Sequence, residues 1–159
     1  MIINTTISTT MGSAPTMADL HATAASRLRA DGQRYTPNRR TLVEALDESD
    51  RPMSIPELLG GRRDLAQSSA YRNLAVLERA GVVRRIVTSD EFARYELAED
   101  LTEHHHHLIC SVCGAVTDFT VPPDVEQALD KALTRVARSA SFVVDAHRLD
   151  LVGVCASCA

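Results

Sequence analysis

Residues 67–87 read QSSAYRNLAVLERAGVVRRIV and join a helical pattern to a strand pattern at one glycine. Ala70, Leu74 and Leu77 recur at helical spacing and would form one apolar face of a helix. Gly81 ends that pattern, and the β-branched residues beside it are typical of a strand. The stretch therefore predicts a helix that packs on a core and leads directly into a β-strand.

The opposite face of this helix carries hydroxyl and guanidinium groups. Such groups suit phosphates and guanine edges, and an aromatic ring at the border, Tyr71, can reach a thymine methyl group. The alternative is an amphipathic surface helix without a ligand, so the neighbouring elements must decide. The candidate DNA contacts on this helix and around it are Ser68, Ser69, Tyr71, Arg72, Arg39, Arg62 and Arg63.

The flanking segments complete a winged helix-turn-helix. Cap and apolar signals predict a helix over residues 17–30, a second opened by Thr36-Pro37, and a third opened by a capping box at residues 54–57. Residues 82–97 predict a two-stranded hairpin. In this order of elements the second helix of the pair, here the one that begins at Gln67 or Ser68, enters the major groove.

Composition and charge suggest two domains. The chain has 159 residues, of which 45% are hydrophobic and 24% charged, and no apolar run approaches the ~20 residues of a membrane helix. With no recognisable signal peptide, we expect a cytoplasmic protein. Residues 1–94 hold 13 basic and 11 acidic side chains, whereas residues 95–159 hold 4 and 10. We therefore expect a disordered arm at 1–16, a DNA-binding domain at 17–97 and a metal-binding dimerisation domain at 98–159.

All four cysteines fall into two C-x-x-C pairs, Cys110 with Cys113 and Cys155 with Cys158. Two such pairs can supply four thiolates at the corners of a tetrahedron, which suits zinc, and Gly114 allows the tight turn of a zinc knuckle. Disulfides and a redox switch are the alternatives, because C-x-x-C pairs serve both purposes. A reducing cytoplasm favours one structural zinc ion per chain.

Four consecutive histidines, His104 to His107, precede the first cysteine pair. In an extended segment His104 and His106 would face one way and His105 and His107 the other, so the run can supply two separate metal sites. Each site needs more ligands, and a mixed histidine and carboxylate shell suits zinc, iron, manganese or nickel. Some of these histidines could instead be solvated. The candidate further ligands are Glu96, Asp100, Glu103, Asp118, Glu126 and His147.

The rest of the C-terminal sequence predicts a small sheet with one helix. Residues 107–110 and 115–119 flank the first cysteine pair as a hairpin, and residues 142–154 indicate one or two further strands. Between them, apolar residues from Val125 to Val136 recur at helical spacing. A domain of about 60 residues is marginal alone, so dimerisation would supply the missing buried area. The predicted fold class is α+β.

The chain resembles the ferric uptake regulator (Fur) family over about residues 17–159. The matching stretches are Tyr35-Thr-Pro-Asn-Arg39, Ser69-Ala-Tyr-Arg-Asn-Leu74, Ala80-Gly-Val-Val83, Arg94-Tyr-Glu-Leu97, His104-His-His-His-Leu-Ile-Cys-Ser-Val-Cys-Gly114 and Cys155-Ala-Ser-Cys158. The resemblance implies a dimeric, metal-dependent repressor with an N-terminal winged helix, a hinge and a C-terminal dimerisation domain. It also implies that the four cysteines hold structural zinc and that a second metal site consists of His104, His106, Glu126 and His147.

The resemblance further implies a regulatory metal site near the hinge, built on His105 and His107. Glu96 matches an acidic ligand of some relatives, and Asp100 is the alternative candidate for this ligand. Asp118 matches the acidic ligand of peroxide-sensing relatives.

The sequence departs from the family pattern before the third helix. Many relatives place a histidine there, whereas this chain has Arg51-Pro-Met-Ser54. His21 could take that role only if the first helix lay near the hinge.

The predicted function is a metal-sensing repressor that binds double-stranded operator DNA as a metal-loaded homodimer and controls metal-ion homeostasis. Zinc is the preferred second metal, because four histidines with few acids form a borderline-soft shell. The alternatives are an iron-, manganese- or nickel-responsive or peroxide-sensing repressor of the same family, a redox-switch repressor and, more distantly, a zinc hydrolase. No H-E-x-x-H motif is present and a hydrolase would leave the helix-turn-helix unexplained, so no enzymatic activity is expected.

Overall fold

The structure, a computed structural model, describes residues 16–60, 65–88 and 93–159. Its first half contains four helices, α1 (Met17–Ala30), α2 (Pro37–Asp47), α3 (Ile55–Leu58) and α4 (Gln67–Arg79). Their apolar faces share one core, in which Leu20, Leu42 and Leu74 are completely or almost completely buried. Residues 1–15 of the predicted arm, the tip of the predicted hairpin and the two candidate DNA contacts Arg62 and Arg63 lie outside the described residues. Thr16, the last residue of the predicted arm, instead caps α1.

Each helix begins where the sequence predicts, and α1 and α4 also end there. Thr16 and Asp19 form a capping box at the start of α1, and Ser54 and Glu57 form one at the start of α3. Thr36 occupies the cap position of α2, although its side chain makes no cap hydrogen bond. Helix α4 ends just before Gly81, whose positive φ of 71° turns the chain into the next strand.

The first sheet has three antiparallel strands in the order β1-β3-β2, formed by β1 (Met53–Ser54), β2 (Val83–Ile86) and β3 (Arg94–Leu97). The sequence predicts only β2 and β3, so the prediction of a two-stranded ribbon misses the third strand, β1. A strand of two residues is too short to show alternation, and β1 exists because Met53 pairs with Tyr95 across the sheet.

The second half contains β4 (His106–Cys110), β5 (Val116–Phe119), α5 (Pro123–Ser139) and β6 (Asp150–Gly153). Its sheet order is β5-β4-β6, with β4 antiparallel to β5 and parallel to β6. The predicted hairpin and helix are confirmed, and residues 142–154 contain one strand, β6. A turn of 3-10 helix, Glu99–Leu101, links the two halves.

Burial differs sharply between the halves. The first half has a closed core, whereas Val136 on α5 and Val152 on β6 are 67% and 69% exposed. All four residues of β6 are exposed, and this strand lies at the edge of its sheet. The apolar stripe predicted for α5 thus lies on the surface of the single chain. In the part of the chain that the structure describes, no helix is long and apolar enough to span a membrane.

Candidate metal centres and DNA-facing helix

The four cysteine sulfurs converge at one end of the second sheet. Cys110 ends β4, and the parallel register of Cys110 with Gly153 brings Cys155 and Cys158 beside the first pair. The four Sγ atoms all lie within 4.8 Å of one another, and those of Cys113 and Cys155 are 3.8 Å apart. Zinc–sulfur bonds of about 2.3 Å in a tetrahedron separate the sulfurs by about 3.8 Å.

The environment of this cluster supports a thiolate. Backbone N–H groups of Cys113, Cys155 and Val112 lower the pKa of the Cys110 thiol to about 6. Hydrogen bonds to the sulfurs of Cys155 and Cys113 raise the pKa of Cys158 to about 12. No disulfide joins the four cysteines, all of which lie in the described part of the chain. The donor set and its spacing fit a tetrahedral zinc ion.

A second cluster consists of His104, His106, Glu126 and His147, whose ligand atoms lie within 4.8 Å of one another. Glu126, in the first turn of α5, is its centre. One carboxylate oxygen lies 3.1 Å from His104 Nε2 and 3.0 Å from His147 Nε2, and the other lies 2.9 Å from His106 Nε2. Burial raises the pKa of Glu126, but the histidine hydrogen bond and charges outweigh it and the pKa is lowered.

A third cluster joins the two halves of the molecule. Glu96 comes from β3 of the first sheet, whereas His105, His107 and Asp118 lie on or next to β4 and β5. Glu96 Oε2 lies 3.0 Å from His107 Nε2 and 3.4 Å from His105 Nε2. The Asp118 oxygens lie 3.8 Å from His107 Nε2 and 3.9 Å from His105 Nε2. Two nitrogen and two carboxylate ligands thus face one point.

The charges in this third cluster are strongly coupled. Burial raises the pKa of Glu96, but hydrogen bonds from His105 and His107 and the charge of Arg84 lower it to about 2. The hydrogen bond to Glu96 raises the pKa of His105 to about 9. Burial lowers the pKa of His107, but the hydrogen bond and charge of Glu96 outweigh this effect, so that the pKa of His107 is also raised. Burial raises the pKa of Asp118. A metal ion here must displace the proton of His105, whose pKa lies above neutral pH.

Oxygen acceptors hold the outer nitrogen of four of the five histidines in these two clusters. The Nδ1 atoms of His104, His107 and His147 lie 2.5 Å, 3.1 Å and 3.0 Å from carboxylates, and His105 Nδ1 lies 2.8 Å from the carbonyl of Glu103. This pattern assigns the proton to Nδ1 and leaves the Nε2 lone pair for a metal. The three carboxylates are Glu99, Asp150 and Asp130.

The sequence does not single out these three outer carboxylates. Asp130 follows Glu126 by one helical turn, a spacing that could have indicated it. Asp150 is found only through the parallel register that places it opposite His107. Glu99 has no sequence signal that distinguishes it from its acidic neighbours. Glu103, a candidate ligand by sequence, contributes its backbone carbonyl to His105.

Among the buried side-chain atoms without a hydrogen bond in the described residues are His147 Nε2 of the second cluster and Asp118 Oδ1 of the third. The Glu126 oxygen that lies 3.0 Å from His147 Nε2 makes no hydrogen bond with it. Leaving such an atom unpaired costs about 1–3 kcal/mol, and a divalent cation in each cluster would supply the partner. Both donor sets therefore fit a metal ion.

Two sequence candidates lie away from the third cluster. The carboxylate of Asp100 pairs with Arg27, which also donates to the carbonyl of Gly81, so Asp100 links the 3-10 turn to α1. His21 lies 2.7 Å from the Tyr35 hydroxyl and 3.3 Å from a Glu44 oxygen. The His21 ring thus packs between α1 and α2 and is not part of the third cluster. It does not replace the histidine that many relatives have before the third helix.

The predicted reading face of α4 is open to solvent. Ser68, Tyr71 and Arg72 are exposed, whereas Ser69 is half-buried. Arg39 differs from the prediction, because its guanidinium is used inside the molecule. It donates to Asn73 Oδ1 at 3.1 Å and to the carbonyl of Arg34 at 2.5 Å, and so braces α4 against α2.

A winged helix-turn-helix joined to a half rich in metal ligands defines the class of DNA-binding metalloregulators. The family model of the ferric uptake regulator family matches residues 30–152. The chain belongs to this family, whose members are metal-responsive transcriptional regulators and not enzymes. This confirms the predicted family and fold class and excludes the hydrolase alternative.

Individual relatives cover most of the chain. The peroxide operon regulator of Bacillus subtilis (strain 168) is 30% identical over 139 residues, which are 85% of this chain and 90% of that protein. The ferric uptake regulation protein of Bordetella parapertussis is 31% identical over 138 residues, 84% of this chain and 94% of that protein. The solved ferric uptake regulator Fur of Helicobacter pylori, which has three functional metal binding sites, is 25% identical with a TM-score of 0.71 and covers 93% of this chain and 97% of its own.

Proposed function

We propose that the chain is a metal-sensing repressor that binds operator DNA in the cytoplasm as a metal-loaded homodimer and controls metal-ion homeostasis, with zinc the preferred metal. The observation that carries this proposal is the third cluster. Its ligands come from both halves of the molecule. Glu96 is on the first sheet, whose strands β2 and β3 form the wing, whereas His105, His107 and Asp118 are on or next to the second sheet. A metal ion bound there would fix the orientation of the winged helix relative to the C-terminal half.

The three clusters would have different roles. Cys110, Cys113, Cys155 and Cys158 would hold a structural zinc ion that clips β6 to β4. The cluster around Glu126 draws its ligands only from the C-terminal half, so a metal there would stabilise that half without directly moving the winged helix. The third cluster would be the regulatory site, and Asp100 is left out of it because its carboxylate pairs with Arg27.

The exposed apolar residues of the C-terminal half support a homodimer. Helix α5 and the edge strand β6 present side chains such as Val136 and Val152 to solvent. An uncovered apolar helix face beside an open strand edge favours association with a second copy, which would bury both. We retain the division into a DNA-binding domain at 17–97 and a dimerisation domain at 98–159.

DNA recognition would rest on α4. Tyr71 is 50% exposed and Arg72 is exposed beside it, so both can enter a major groove. Arg62 and Arg63 remain proposed DNA contacts. Arg39 would act indirectly, by holding α4 through Asn73.

The composition of the third cluster supports a second candidate. Two imidazole nitrogens with two carboxylates form a harder shell than four histidines would, and this suits iron(II) or manganese as well as zinc. The second candidate is therefore an iron- or manganese-responsive regulator, or a peroxide-sensing one like the Bacillus relative.

The functional proposal is tested by single alanine substitutions in the histidine run. His105→Ala and His107→Ala should abolish metal-dependent binding to a duplex selected from random DNA by the metal-loaded parent. His104→Ala and His106→Ala should weaken the response but retain part of it, because their cluster does not include the wing. Indistinguishable behaviour of His104→Ala and His105→Ala would contradict the division into two sites.

The metal preference is tested by repeating the DNA titration with zinc, iron(II), manganese and nickel. A response to zinc at the lowest free concentration is expected. A response only to iron(II) or manganese would replace zinc by the second candidate.

A further inference from the structure

Arg84 lies directly behind the third cluster. It is on β2, opposite Glu96 on β3 in the antiparallel register. Its side chain is only 11% exposed. Arg84 Nε donates to Glu96 Oε1 at 2.5 Å, and a second guanidinium nitrogen contacts the same oxygen. A cation buried this deeply next to a cluster of metal ligands needs a physical reason.

The rest of the guanidinium extends along the cluster. One terminal nitrogen lies 3.3 Å from His107 Nε2, and the other lies 3.8 Å from Glu99 Oε2. Glu99 in turn holds His104 of the second cluster. Arg84, on strand β2, therefore connects this strand to the third cluster and to the turn that links the two halves.

The two oxygens of Glu96 face different partners. Oε1 is taken by Arg84, whereas Oε2 lies 3.0 Å from His107 Nε2 and 3.4 Å from His105 Nε2. As long as Arg84 holds Oε1, the carboxylate can offer only Oε2 to an ion between the histidines. Partners of this kind orient metal ligands and are needed for full affinity.

We propose that Arg84 is a positioning residue that fixes Glu96 as a single-oxygen ligand of the third cluster and ties this ligand to the wing strand. The inference rests on the proposed regulatory site and assigns a role to a residue that is not itself a ligand. Without Arg84, Glu96 is free to turn and to offer both oxygens.

Charge alone predicts the opposite effect on metal affinity. A guanidinium repels a divalent cation at this distance, so removal of a purely electrostatic neighbour would strengthen metal binding. Removal of a positioning residue weakens it, by about 10- to 100-fold for partners of this type. The sign of the change therefore separates the two roles.

The test measures cobalt(II) binding by the dimeric chain with its cysteine zinc in place, in competition with a chromophoric chelator. The binding step that Glu96→Gln weakens is assigned to the third cluster, because the second cluster does not contain Glu96. Arg84→Met should bind cobalt(II) about 10- to 100-fold more weakly than the parent. Arg85→Met is the matched control, because Arg85 is the next residue on β2 and is exposed, and it should bind as the parent does. Arg84→Lys keeps the positive charge but lacks the planar set of guanidinium donors. Its cobalt(II) affinity should therefore lie between those of the parent and Arg84→Met.

The cobalt(II) spectrum supplies a readout that a general loss of stability would not change. A freed carboxylate that binds through both oxygens raises the coordination number, so the visible absorption per bound ion should fall in Arg84→Met. It should remain parental in Arg85→Met.

Several outcomes would overturn the inference. Parental or tighter cobalt(II) binding by Arg84→Met would do so, provided that Glu96→Gln weakens binding and thereby upholds the site. If Arg84→Met does not fold, parental affinity and a parental spectrum in Arg84→Lys would overturn it. Parental binding by Glu96→Gln would instead reject the proposed regulatory site itself.

Discussion

Replacing Val136 with serine should weaken the proposed homodimer by about 30- to 700-fold. The side chain is 67% exposed on α5 in the single chain. Full burial of a valine contributes about 1.5–3 kcal/mol, so covering this exposed part contributes about 1–2 kcal/mol. A two-fold dimer contains the residue twice, which gives about 2–4 kcal/mol. Each ~1.4 kcal/mol changes the dissociation constant tenfold.

The assay is sedimentation velocity over a concentration series, with the cysteine zinc loaded in every variant. Val87→Ser is the matched control, because Val87 is 75% exposed but belongs to the DNA-binding half. It should leave the dimer dissociation constant unchanged. If Val136→Ser and Val87→Ser associate equally well, helix α5 does not contribute to the dimer interface.

The further predictions concern pH dependence, the cysteine zinc, stability and DNA binding. Because the pKa of His105 is about 9, this histidine is protonated at neutral pH, and metal affinity of the third cluster should rise about tenfold per pH unit between pH 6 and 8. The raised pKa of His107 acts in the same direction. A flat profile in a calorimetric titration would contradict this. Without metal the sign is opposite, since the raised pKa of His105 stabilises the fold fully below about pH 6.5, and that contribution is lost as the pH rises through about 9. Cys110→Ser should lose the single chelator-resistant zinc ion and the dimer, and elemental analysis that still finds one zinc per chain would argue against the four-cysteine site. Leu74→Ala should lower the free energy of unfolding by about 2–5 kcal/mol, because Leu74 is fully buried. Arg72→Ala should change the free energy of unfolding by less than about 0.5 kcal/mol and yet lose specific DNA binding. The control Lys131→Ala, on α5, should keep specific DNA binding. Parental DNA affinity of Arg72→Ala at matched salt would mean that α4 does not read the operator.

Much of the DNA-binding half could be predicted because its signals are local. Cap residues and glycines act within one helical turn, so the start of α3 follows from Ser54 and Glu57 and the end of α4 follows from Gly81. Strand β1 could not be predicted, because a two-residue strand is defined only by its partner.

The separation of the histidines also follows from local geometry. Alternate side chains of an extended segment point to opposite faces, and the structure has His104 and His106 in one cluster and His105 and His107 in another. The carboxylates around the histidines could not be predicted in this way, because they belong to elements that are distant in the sequence. Asp150 reaches His107 through the register of β4 with β6, which spacing along the chain does not encode.

Long side chains were the least predictable. Sequence places Arg39 among the exposed cations around α4, but its guanidinium lies against Asn73, 34 positions away. Asp100 is close in sequence to the third cluster, yet it pairs with Arg27 on α1. Such partners depend on how the helices pack, and neither charge nor spacing reports this.

Metal control of DNA binding is tested most directly by titrating the dimer, with its cysteine zinc in place, with free zinc while fluorescence anisotropy reports its affinity for the selected duplex. The affinity should rise steeply as zinc fills the third cluster, and the rise should be absent in His107→Ala. Equal affinity for the duplex with and without added metal, whichever of zinc, iron(II), manganese or nickel is supplied, would contradict a metal-sensing repressor.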